Sequence, residues 1–145
     1  MELQVKQVPY GVADFAMVIE QNLYYVDKTM FIPELEKQPR NLFFIRPRRF
    51  GKSIFLSMLY SYYDCAQSHK FQSLFGNLWI GQHPTPLQGK YQVLFLDFSQ
   101  ITGNIDKLET KFNSYLSINL DAFVRQYSEY YQAEMEEILA QEDFE

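Results

Sequence analysis

Apolar positions along this chain recur at helical spacing in some stretches and run unbroken in others. After Pro9 and Gly11, Ala13 to Gln21 places Phe15, Val18 and Ile19 on one face, with Asp14 near its start, and predicts a short helix. Leu23 to Val26 is extended in character. Asp27 is placed to cap a helix over Lys28 to Lys37 that buries Phe31, Ile32 and Leu35, and Pro33 fits only in its first turn. "NLFFI", Asn41 to Ile45, is continuous rather than alternating, which predicts a strand covered on both faces, as in a parallel α/β sheet. "SIFLSMLYSYYDC" follows, with Ile54, Phe55, Met58, Leu59 and Tyr62 at helical spacing.

"FQSLFGNLWIG" is a dense apolar patch built on Leu74, Phe75, Leu78, Trp79 and Ile80, and "QHPTPLQGK" is a loop by composition. "YQVLFLDFS" predicts a second buried strand, Tyr91 to Phe98. From Asn104 a long helix is expected, with Ile105, Leu108, Phe112, Tyr115, Leu116 and Leu120 near one face and the pattern continuing through Phe123 and Tyr127. The acidic tail from Ala133 to Glu145 reads as a further helix. No internal repeat or low-complexity segment interrupts this order.

Composition narrows the classes. The 145 residues suffice for one domain with a sizeable core, and a hydrophobic fraction of 47% with 11 Tyr and 13 Phe argues against disorder. The net charge of -5 gives no global support for a nucleic-acid binder. Cys65 is the single cysteine, so no disulfide forms within one chain and a reducing compartment is implied. No signal-peptide core and no membrane-length apolar run is present, so the expectation is a cytoplasmic protein with no membrane partner.

The chemistry gathers in "RPRRFGKS", Arg46 to Ser53, between the first predicted strand and the helix after it. Gly51-Lys52-Ser53 would open that helix, where N–H groups lack intrahelical acceptors and the helix dipole favours an anion. Gly51 leaves room for a phosphate, Lys52 supplies a point charge, and the Ser53 hydroxyl could complete a Mg²⁺ shell shared with the nucleotide. The full phosphate-loop (Walker A) pattern is G-x-x-x-x-G-K-S/T, and Arg46 stands where its first glycine belongs. Alone, the tripeptide is equally consistent with an ordinary helix start flanked by surface arginines. The strand–loop–helix context favours a nucleotide. Arg46, Arg48 and Arg49 suit phosphate, either of a nucleotide or of a nucleic-acid backbone. His69 and His83 lack partners at metal-ligand spacing.

These stretches together resemble the AAA-ATPase-like family of bacteria and archaea, in which a P-loop ATPase domain is often followed by a PD-(D/E)XK nuclease-like domain. "PYGVADF" (Pro9 to Phe15), "YYVDKT" (Tyr24 to Thr29), the arginine-entered "RPRRFGKS", "FQSLFGNLWI" and "YQVLFLDFS" carry the resemblance, over roughly Pro9 to Ser99. It implies an ATP-binding module using ATP and Mg²⁺, with hydrolase activity in a full-length protein. It also implies the N-terminal part of a three-layer α/β/α P-loop NTPase with a mainly parallel sheet, incomplete and helix-rich. Within one domain spanning 1–145, the expected parts are a helical lead-in, 1–38, a strand, phosphate loop, helix and strand, 39–103, and a helical remainder, 104–145. The nucleotide-binding residues it implies are Arg46, Arg48, Arg49, Phe50, Gly51, Lys52, Ser53 and Ile54, with Ser53 on the metal. The family's acidic strand, similar to "LIDEYD", is not found, and Asp97 matches the strand before it rather than the acidic one. This chain alone is therefore expected to turn over negligible ATP. Asp97 is expected to bind loop amides at a strand end. Asp27-Lys28-Thr29 is left between a cap, a structural part and an adenine-side role. Unpaired strand edges imply self-association of the chain. Nucleic-acid association in a full-length protein and a non-hydrolytic regulatory or interaction domain are the alternatives.

Overall fold

A computed structural model of the protein describes residues 6–132. The chain divides into two compact units, Met1–Val93 and Leu94–Glu145. The expected C-terminal helix from Ala133 lies outside the described residues. Among those residues no helix is long and apolar enough to cross a membrane.

The first unit is a cluster of short helices around one apolar centre. Helix α1, Phe15–Glu20, starts where the Asp14 carboxylate accepts from the Met17 amide at 3.1 Å, and it buries Phe15 and Val18. A 3₁₀ turn, Thr29–Phe31, leads into α2, Ile32–Glu36, which holds Pro33 in its first turn and buries Ile32. Helix α3, Lys52–Tyr63, turns Phe55, Met58, Ser61 and Tyr62 inward. Two short helices, α4, Phe71–Phe75, and α5, Trp79–Gln82, contribute Leu74, Phe75 and Ile80. Phe15, Ile32, Phe55, Met58, Tyr62, Leu74, Phe75 and Ile80 form one buried cluster. Each of the larger side chains contributes roughly 1.5–3 kcal/mol through burial.

Aromatic geometry organises this centre. Phe75 stacks on Phe15 with centroids 5.0 Å apart and meets Tyr62 edge-on at 5.5 Å. A fully buried tyrosine needs a partner for its hydroxyl. The Tyr62 hydroxyl accepts from the Thr85 amide at 2.8 Å and lies 3.1 Å from Thr85 Oγ1. Thr85 Oγ1 gives its own proton to Glu36 Oε1 at 2.7 Å, so Tyr62 is the donor to Thr85 Oγ1. The 84–90 loop is thereby pinned to both α2 and α3. Helix α1 is pinned in the same way, its Phe15 amide donating to Ser57 Oγ of α3 at 3.0 Å.

The expected α/β/α sheet does not form. Among the described residues the structure is helical with no named strand, and the one isolated bridge pairs Asp64 with Tyr91 in parallel. Asn41 to Ile45 forms no strand and pairs with no other backbone among the described residues. Nor is it covered on both faces. Phe43 and Ile45 are 91% and 86% exposed, while Leu42 and Phe44 are 52% and 44% exposed. Phe44 stacks on Phe55 of α3 at 5.1 Å. The physical reason is general: extended chain becomes a strand only through a ladder with a neighbour, and unbroken apolar character reports hydrophobicity without supplying that neighbour. The second expected strand fares similarly. Tyr91 accepts from the Cys65 amide at 2.8 Å and donates to the Tyr63 carbonyl at 2.9 Å, and among the described residues, 92–97 belong to no named strand.

The second unit is built on α6, Leu108–Gln126, entered through a 3₁₀ turn at Ile105–Lys107. Phe98 rests against Phe112 and Tyr115 of α6, and the Tyr115 hydroxyl accepts from the Asp97 amide at 2.7 Å. The Asp97 carboxylate accepts from the Ser99 amide at 3.0 Å and caps the 3₁₀ turn Phe98–Gln100.

Candidate functional site

The segment before α3 makes a tight basic loop. Arg49 takes φ 65° and Gly51 takes φ 75°, both in the left-handed region. Gly51 adopts that conformation freely, whereas Arg49 does so at a cost of about 1 kcal/mol. The result is that α3 begins at Lys52 with no side-chain cap. Among the described residues nothing accepts from the amides of Gly51, Lys52, Ser53 or Ile54. A helix start in this condition presents N–H donors and positive dipole potential together.

Lys52 folds back over the loop that carries it. Its Nζ donates to the Arg46 carbonyl at 2.5 Å and to the Pro47 carbonyl at 3.0 Å. An ammonium carries three donors, so one remains for a ligand while the other two hold the loop closed.

A cavity of about 740 Å³ opens beside these groups. Arg48, Arg49, Gly51, Lys52, Ser53 and Ile54 form one wall, and Pro9 to Ala13 form the other. Arg46 and Phe50 line a different, apolar cavity of about 490 Å³, together with Phe31, Leu35, Phe44 and Phe55. The Arg46 guanidinium lies 6.0 Å from the centroid of the Phe44 ring. The candidate residues are therefore split by the loop backbone, and the arginines do not converge on one point. Among the described residues no carboxylate lines the larger cavity, and no group of His, Cys, Asp and Glu is arranged to hold a metal.

Asp27-Lys28-Thr29, whose role the sequence left open, divides into different duties. Asp27 Oδ1 accepts from both the amide and the hydroxyl of Thr29, at 2.8 and 2.7 Å. Asp27 Oδ2 accepts from the Trp79 amide at 2.8 Å, and Thr29 Oγ1 accepts from the Ile80 amide at 3.1 Å. The expected cap over Lys28 to Lys37 is not found, since neither the 3₁₀ turn nor α2 starts with a side-chain cap; the Asp27 carboxylate instead accepts from the first amide of α5, far away in sequence. Lys28 points the other way. Its Nζ lies 3.8 Å from the position that a Cβ on Gly51 would occupy.

The wall formed by Pro9 to Ala13 and the approach of Lys28 to Gly51 were not among the sequence-derived site residues. Both sit in stretches that "PYGVADF" and "YYVDKT" had already marked, which was the available signal. The tyrosine hydroxyls near the core are held protonated: burial first, then the charge of Glu36, raises the Tyr63 pKa, and burial and then Asp27 raise that of Tyr25.

Comparison with known proteins adds the following. A family model described as "Predicted AAA-ATPase" matches residues 9–143. Over 55 residues the chain is 49% identical to the "Uncharacterized protein in vnfD 5'region" of Azotobacter chroococcum mcd 1. That match takes in 37% of this chain and 11% of the relative's length. No solved structure matches.

Proposed function

The chain belongs to the AAA-ATPase-like family, and on that premise we propose that the 46–53 loop binds the phosphates of ATP. The observation that carries this reading is the helix start at Gly51 to Ile54, whose unaccepted amides line the 740 Å³ cavity beside the Lys52 ammonium. Anionic oxygens satisfy those donors, and the cavity is large enough for more than a bare phosphate.

Each residue has a distinct part. Gly51 brings backbone to the ligand without a side chain in between. Lys52 holds the loop shut through Arg46 and Pro47 and turns its remaining donor to a phosphate oxygen. Arg48 and Arg49 sit on the same wall and add charge at its rim. Ser53 is exposed and supplies one hydroxyl oxygen toward a Mg²⁺ that the phosphates would bring. With no carboxylate lining the cavity, the remainder of the metal's shell would come from phosphate and water. Arg46 and Phe50, on the far side of the loop, support its shape rather than touching the phosphates.

The match to the curated relative spans only about a tenth of that protein's length. We extend the reading to the longer protein as an ATPase that uses this loop as its phosphate cradle. Calorimetric titration with ATP and ADP, with and without Mg²⁺, tests the reading. Saturable binding that strengthens with Mg²⁺ is expected. Absence of binding by a chain that melts cooperatively would overturn it.

A further inference from the structure

We propose that the Pro9 to Ala13 wall takes the nucleoside end of the ligand, with the Tyr10 ring as the platform on which the base stacks. The proposal rests on the nucleotide reading above. It deepens that reading by giving the base a surface of its own, so that the site selects a nucleoside phosphate over phosphate alone.

Three observations lead to it. The first is the asymmetry of one cavity. One wall carries Arg48, Arg49, Lys52 and the open amides at the start of α3. The other, Pro9 to Ala13, carries no charged side chain. A phosphate chain uses only the charged wall, yet the cavity measures about 740 Å³, within the ~300–1,000 Å³ of small-molecule sites. A ligand that matches both walls is anionic at one end and flat and largely apolar at the other, as a nucleoside phosphate is.

The second is the state of Tyr10. It is 94% exposed, and among the described residues its ring meets no other ring and its hydroxyl has no partner. It therefore adds nothing to the core, whereas Phe15, five positions on, is fully buried. An aromatic ring with open faces beside a phosphate cradle is a stacking platform for a base. The backbone next to it is open as well. Among the described residues nothing pairs with the N–H or C=O groups of Gly11, Val12 or Ala13. A peptide edge that offers both a donor and an acceptor matches the hydrogen-bonding edge of a base.

The third is how the wall is held. On one side of it the Tyr24 amide donates to the Gln7 carbonyl at 2.8 Å, and on the other the Phe15 amide donates to Ser57 Oγ at 3.0 Å. Ser57 belongs to α3, the helix that Lys52 opens. The wall and the phosphate loop are thus tied to the same helix, and a ligand that spans the cavity meets two surfaces of one frame.

The experiment separates the base from the phosphates. Calorimetric affinity for ATP and for inorganic tripolyphosphate, which has no base, is measured for the parent, Tyr10→Ala and Tyr10→Phe, with a thermal melt of each. Stacking predicts that the parent prefers ATP and that Tyr10→Ala weakens ATP by about tenfold, leaves tripolyphosphate unchanged and melts like the parent. Tyr10→Phe, which keeps the ring, should retain most of the ATP affinity. Parent-like ATP affinity in Tyr10→Ala, or an equal loss for both ligands, would overturn this inference and leave the phosphate site standing. Failure of the parent to bind either ligand would overturn both.

Discussion

The Asp27 carboxylate accepts from the Trp79 amide at 2.8 Å, joining residues 52 positions apart. One carboxylate therefore shapes its own turn, through Thr29, and caps the start of α5. This contact holds the Lys28 backbone and the 71–82 region in one frame.

Asp27→Ala removes the cap of α5 and both bonds to Thr29 at once. A lost N-cap costs about 0.5–2 kcal/mol, and each further hydrogen bond about 1 kcal/mol. The expected loss is about 2–4 kcal/mol, read from urea or thermal unfolding. Asp27→Asn, which keeps one of the two acceptor oxygens, should lose less.

Gly81→Ala tests close packing rather than conformation. A Cβ at position 81 would press on the Phe75 carbonyl, which is backbone and has little room to give. The two short helices α4 and α5 would have to separate. Overpacking of this kind costs about 1–3 kcal/mol, so the melting temperature should fall by several degrees.

Gly51→Ala acts on the loop. The added methyl is forced into φ 75° and meets Ile54 Cγ2 at 3.4 Å and Lys28 Nζ at 3.8 Å. A stability loss of about 1–2 kcal/mol follows from the left-handed conformation alone. Nucleotide affinity should fall further than stability, because the methyl also crowds the phosphate approach. Titration and melting of the same variant separate the two effects.

The alkaline limb of stability follows from Tyr63 and Tyr25. Burial is the main cause of the upward shift in both, with Glu36 adding to it at Tyr63 and Asp27 at Tyr25. A tyrosine raised in the folded state holds its proton after the unfolded chain has released its own near pH ~10. Between those values the folded state binds more protons, so unfolding becomes easier as pH rises; below about pH 10 these groups contribute no slope. Urea midpoints measured from pH 8 to 11 should be flat with respect to these groups up to about pH 10 and fall above it. Tyr63→Phe should shallow the fall.

Much of the helical framework was legible in the residues. Asp14 and the spacing of Phe15 and Val18 give α1, Pro33 sits in the first turn of α2, and Ile54 to Tyr62 give the buried face of α3. These are local properties, and local pattern reports them. The sheet was not legible in the same way. "NLFFI" and "YQVLFLDFS" read as strands because they are apolar and extended, yet pairing is a property of two segments. Phe43 and Ile45 stand exposed, and Tyr91 makes a single bridge. At the site, the sequence located the loop from Gly51-Lys52-Ser53. It did not reveal that Arg46 and Phe50 face a different cavity, which depends on the left-handed turn at Arg49. Nor did it pair Asp27 with Trp79, because a hydrogen bond spanning 52 positions leaves no periodic trace.

The central claim is that Lys52 and the helix start behind it form a phosphate site, and comparative calorimetry of the parent and Lys52→Ala with ATP tests it most directly. Lys52→Ala removes the ammonium and its bonds to the Arg46 and Pro47 carbonyls while leaving the core of α3 in place. The account predicts saturable ATP binding by the parent and at least about a tenfold loss in the variant, with both proteins melting cooperatively. Equal affinity in the two folded proteins would contradict it.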